Sequence, residues 1–151
     1  MYSLVRRYIK TAVGFLALGI AIGLWMLVRR ELYGRFASPF ETSAHTHALL
    51  VGFMMEMICG VALWLFPRPA KEDPRYSPRL AEWAYWLLTI GTLVRVVAEL
   101  ARPSAASLFV RWIIVGGGFM QSSGLLVFFH TMWSRIRPVG SASREKSGER
   151  F

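Results

Sequence analysis

The 151-residue sequence holds one cysteine, Cys59, and only 9 acidic side chains against 18 basic ones. A single thiol excludes an internal disulfide framework and any multi-cysteine metal site. Since no Cys-x-x-Cys-His run occurs, any bound cofactor is held without thioether links. Charged residues make up only 18% of the chain, while hydrophobic ones make up 54%. That apolar share exceeds what a soluble core of this size can hide, so lipid is part of the solvent. The length suits one domain, and no second one is expected. The formal net charge of +9 in so apolar a chain points to membrane orientation and contact with anionic lipid, and not to nucleic acid.

A bilayer core about 30 Å thick needs about 20 apolar residues in a helix. Four stretches qualify: 8–28, 44–66, 81–100 and 111–133. The expected fold class is therefore all-α, an integral membrane four-helix bundle occupying residues 1–137, followed by a flexible polar tail at 138–151. Arg29 and Arg30 close the first stretch, Pro67 and Pro69 the second, and Pro103 and Pro138 follow the third and fourth. The first stretch resembles a cleavable signal in its basic start, but its length and the absence of a small-residue cleavage site favour a retained helix. Basic residues are unequally shared. Arg6, Arg7, Lys10, Arg68, Lys71, Arg75, Arg79, Arg135, Arg137, Arg144, Lys146 and Arg150 fall on one side, against Arg29, Arg30, Arg35, Arg102 and Arg111 on the other. By the positive-inside bias both termini are expected to be cytoplasmic, in a cell inner (cytoplasmic) membrane. Trp64, Trp83, Trp86 and Trp133 would mark the inner interface, with Trp25 and Trp112 near the outer one.

Ionisable groups inside a span are costly and default to function. His45, His47, Glu56, Arg95 and Glu99 qualify. In Thr42-Ser43-Ala44-His45-Thr46-His47 the two histidines are two residues apart, so at about 100° per residue they point to nearly opposite sides of a helix, about 3 Å apart in depth. One metal ion held by both is disfavoured; two different neighbours are reachable. Interhelical hydrogen bonding is the plainer use of such a pair. Arg95 and Glu99, at i and i+4, can neutralise one another on one face. Glu56 lies about 16 Å deeper than His45, where it either joins a polar path with Gln121, Ser122 and Ser123 or makes an interhelical hydrogen bond. His130 lies at the opposite end of its helix from the His45 level and reads as an interfacial side chain. Gly116, Gly117 and Gly118 sit in an apolar span and permit close approach of a helix or a flat ring.

The segment His45-Thr46-His47-Ala48-Leu49-Leu50-Val51-Gly52-Phe53, ending at Trp64-Leu65-Phe66-Pro67-Arg68, resembles the second helix of haem-copper oxidase and nitric oxide reductase catalytic subunits. There a histidine at the outer end of the helix is an axial ligand of a low-spin haem. Those subunits arrange twelve helices as three four-helix arcs, and their tenth helix carries a His-x-His pair serving two haems. The resemblance implies that this chain is one arc and that a homotrimer rebuilds the ring. His45 of one protomer and His47 of the next would then be axial ligands of the iron of a non-covalent haem b. It further implies that Arg95 with Arg102 or Arg111 pairs with haem propionates. The family's copper-binding histidines, including an adjacent His-His pair, and its active-site tyrosine have no counterpart, so the chain alone is not expected to be a complete oxidase. The leading expectation is electron transfer or binding of small gases such as NO or O₂, alongside a respiratory redox partner. A cofactor-free accessory or assembly subunit, and a small transporter lined by Glu56 and Arg95, are the competing readings.

Overall fold

The computed structural model describes residues 2–66, 77–102, 104, 107–136 and 147–148. The loop after the second span lies outside them, as do Pro67, Pro69, Pro103 and Pro138 and, apart from 147–148, the expected tail. Five α-helices are present among the described residues: α1 (Tyr2–Tyr33), α2 (Pro39–His47), α3 (Glu56–Leu65), α4 (Pro78–Ala101) and α5 (Leu108–Met132). A π-helical segment, Ala48–Met55, joins α2 to α3 without a break. Four continuous helices, Ser3–Tyr33, Pro39–Leu65, Pro78–Ala101 and Leu108–Arg135, are therefore long and apolar enough to cross a membrane.

Each is longer than its apolar run, the first most of all, because polar residues extend the ends. α1 stops in an αL cap in which Gly34 takes a φ of +62°. Its N–H bonds Arg30 O at 3.1 Å, and that of Arg35 bonds Arg29 O at 3.0 Å, satisfying carbonyls the helix leaves open. Five residues on, Ser38 and Glu41 form a reciprocal capping box with Pro39 at the first turn. The Arg29 and Glu41 side chains form an ion pair across the connection. Ser107 caps α5 through Val110 N–H.

Glycines set the contacts between neighbours. Along α1, Gly23 faces His45, Gly19 faces Leu49, Phe15 faces Gly52 and Tyr8 faces Gly60, which is an antiparallel pairing carried by small residues on both helices. Gly91, Gly117 and Gly124 bring α4 and α5 backbone to backbone, with Gly117 against Arg95 and Gly91, and Gly124 against Leu88 and Ala84. Packing follows chain order: α1 lies on the second span, that span on α4, and α4 on α5. At the end that carries the N-terminus all four spans meet in one core, including Tyr8, Leu63, Tyr85, Leu88 and Phe128. The Tyr8 ring is edge-on to Phe128 at 5.9 Å and to Tyr85 at 5.0 Å. At the other end the core is Ile22, Ala44, Ala48 and Val96, with no member from α5. The bundle is thus closed at one end and an open arc at the other, and the histidines lie at the open end.

All six tryptophans are exposed. Trp64, Trp83, Trp86 and Trp133 ring the N-terminal end, with Trp25 and Trp112 at the histidine end, the two bands expected of rings at headgroup depth.

Candidate functional site

The capping box fixes where α2 begins, and therefore which way its first two turns face. His45 turns toward α1. Its Nδ1 lies 2.9 Å from the carbonyl oxygen of Gly19, and its Cε1 occupies the space a side chain at Gly23 would fill. A nitrogen bonded to a carbonyl must carry the proton, so Nε2 holds the free lone pair. Beside this ring is a cavity of about 420 Å³ lined by Gly23, Met26, Leu27, Arg30, Phe36, Ala37, Thr42 and His45.

His47 turns the other way, toward α4, as the spacing predicted. Its Nδ1 is 2.9 Å from Ser43 O and 3.3 Å from Ser43 Oγ, so its Nε2 is the free nitrogen as well. The Ser43 hydroxyl donates to Glu99 Oε1 at 2.9 Å, and Glu99 Oε2 lies 3.8 Å from His47 Nδ1. Glu99 is buried and receives Arg95 Nε at 2.9 Å, the expected i, i+4 pair. Arg95 Nη1 donates to Gln121 Oε1 at 3.2 Å, and Gln121 Nε2 donates to Thr92 Oγ1 at 3.1 Å. A polar chain thus runs from His47 through α4 to α5.

The other sequence candidates are dispersed. Arg111 is exposed in the first turn of α5, and its side chain makes no hydrogen bond or ion pair among the described residues. The Arg102 guanidinium covers the Phe40 ring at 5.2 Å. Glu56 is fully buried and accepts from Thr89 Oγ1 at 2.8 Å. The path from Glu56 through Gln121, Ser122 and Ser123 is not formed, since Gln121 turns to Arg95 and Thr92 while both serines are exposed. His130 is exposed at the N-terminal end of the bundle.

Glu56 faces α4 because of the π segment. In a regular α-helix His47 and Glu56, nine residues apart, would point to opposite sides. The wider π turn advances only about 80° per residue, and over eight residues this swings Glu56 round to nearly the side of His47. Sequence reasoning missed this segment, and it also missed Arg30 and Ser43. Arg30 was legible only as a span terminus; Ser43 stood in the quoted motif, four residues before His47.

Residues 3–144 match the family model described as cytochrome c and quinol oxidase polypeptide I. The chain belongs to that family. It is a haem-copper oxidase-like, multi-pass membrane protein, and the match extends the likeness from one helix to all four spans. No curated protein and no solved structure matches the chain.

Proposed function

We propose that this subunit I-like chain binds haem b non-covalently and serves electron transfer or the binding of a small gas. The observation that carries the reading is the state of the two imidazoles: each Nδ1 is engaged by a backbone carbonyl and each Nε2 is left for a ligand. Haem-ligating histidines need this arrangement, because the anchored nitrogen fixes the tautomer and the ring direction. The cavity beside His45 offers room on one side, with apolar walls and the Arg30 cation. A bound haem would supply a one-electron couple and, with one axial position free, a site for NO or O₂.

The chain's own residues do the positioning. Gly19 and Ser43 hold the imidazoles, while Gly23 leaves space for the His45 ring. Glu99 lies 3.8 Å from His47 Nδ1 and accepts from the Ser43 hydroxyl beside it, which holds Ser43 against the ring. Arg95 and Arg111 are the proposed propionate partners. Arg95 does so through Nη2, since its Nε and Nη1 are taken by Glu99 and Gln121. Because the two histidines point apart, we assign His45 of one protomer and His47 of the next to the two faces of one haem, in a homotrimer. The site lies at the outer face of a cell inner membrane, both termini are cytoplasmic, and a respiratory redox partner exchanges the electron. With three histidines in all, one chain cannot supply both paired haem ligation and a three-histidine copper site.

A second reading, a cofactor-free accessory or assembly subunit, draws support from the polar chain through Ser43, Glu99, Arg95 and Gln121, which serves helix packing with no cofactor. Absorption spectra of the oxidised and dithionite-reduced purified protein separate the two. The expected result is a sharp reduced alpha band, altered or lost in both His45→Ala and His47→Ala. A colourless protein made with ample haem would favour the accessory subunit.

A further inference from the structure

At the opposite end from the histidines, the start of α4 forms a pocket of about 300 Å³ lined by Arg79, Glu82, Trp83 and Trp86. Their spacings of three, four and seven residues put all four on one helix face. The Glu82 carboxylate is answered by Arg7 of α1, whose Nη1 lies 2.6 Å away. The Arg79 side chain has no hydrogen bond or ion pair among the described residues. Arg7 stands outside the lining, and by pairing with Glu82 it leaves the Arg79 cation as the unpaired charge of the pocket among the described residues, at the depth of the tryptophan band.

Above the pocket the same face continues as Ile90, Leu93, Val97 and Leu100, all exposed. Steps of three and four residues make this an unbroken apolar stripe along α4. A soluble anion would use only the cationic end. A molecule with an anionic head and a long apolar tail uses both, and basic pockets at the ends of transmembrane helices suit anionic headgroups.

We propose that this face of α4 is a binding site for one anionic phospholipid. Its phosphate lies at Arg79, its glycerol region against the Trp83 and Trp86 indoles, and an acyl chain on the stripe above. Indole rings favour this boundary because one edge is apolar and the N–H is a donor. A zwitterionic lipid brings its own cation to a pocket that is already positive, so it is the poorer occupant.

The test uses the full chain, purified in detergent and stripped of lipid, with native mass spectrometry counting what rebinds. Phosphatidylglycerol should be retained at one per chain under conditions where phosphatidylcholine is lost. Arg79→Gln should weaken that retention about fivefold, one basic side chain's share of the attraction to anionic lipid. Arg35→Gln, an exposed arginine beyond the other end of α1, should leave it unchanged. Equal retention of the two lipids, or no effect of Arg79→Gln, overturns the proposal. So does displacement of phosphatidylglycerol by inorganic phosphate, which would mean a site for free anions. Retention that appears only when an oligomer dissociates also overturns it, because a second copy of the chain would then cover the stripe.

Discussion

Single atoms decide the direction of His45. A Cβ at Gly23 would lie 2.7 Å from His45 Cε1, whereas one at Gly14 on the same helix meets nothing within 4 Å. Gly23→Ala must therefore push the imidazole off the Gly19 carbonyl, at the 1 to 3 kcal/mol typical of overpacking, while Gly14→Ala should leave the spectrum unchanged and the fold no less stable. Reduced spectra and thermal unfolding of the two variants check this: the Gly23 variant should lose or shift the band before it loses the fold. Equal spectra in both would break the link between Gly23 and ligand geometry. At this scale the sequence was half legible. That His45 and His47 point apart, and that Arg95 pairs with Glu99, follow from spacing along one helix. The partners contributed by other helices, the Gly19 carbonyl, Gln121 and Thr89, do not, because spacing within one helix says nothing about which helix lies opposite.

Elements were more legible than their ends. Apolar runs locate the four spans, but Ser38, Glu41 and Ser107 carry the helices beyond those runs through hydrogen bonds a hydropathy count ignores. Arg135 is a similar case. Counted by sequence only among the basic residues of one side, it is buried, and its Nη2 donates to Leu63 O and Phe66 O at 3.0 Å, tying the end of α5 to the end of α3. The π segment was not legible at all, since Ala48–Met55 is uniformly apolar and carries no proline. Its geometry makes a testable difference. A π turn holds about one residue more than an α turn needs, so deleting Leu50, which is exposed, should let the segment close toward α and leave Glu56 within about 60° of its direction toward α4. Deleting Val61, also exposed, has no such slack. It turns Leu63 and the Arg135 acceptors by about 100° and should cost about 2 kcal/mol or more, as for loss of a core leucine. Unfolding of both deletion variants in detergent measures this, and equal damage would mean that the π segment stores no spare residue.

The molecule as a whole is an arc whose histidine end is left open by α5, and this is where the two imidazoles aim at different neighbours. If each haem took both ligands from one chain, the helix between them would stand in the way, because α2 presents His45 to α1 and His47 to α4. In the proposed ring each paired site takes His45 from one copy and His47 from the next, and a closed ring of copies has one such interface per chain. That arrangement predicts complementation. His45→Ala retains His47, and His47→Ala retains His45, so neither variant alone can build a two-histidine site. Co-expressed in equal amounts they should assemble rings in which about one quarter of interfaces, by random mixing, join an intact His45 to an intact His47. The sharp reduced alpha band should return in that proportion, and separately tagged chains should co-purify. Co-purification without return of the band would place both ligands of each haem in one chain. Return of the band in a monomeric fraction would remove the need for a ring.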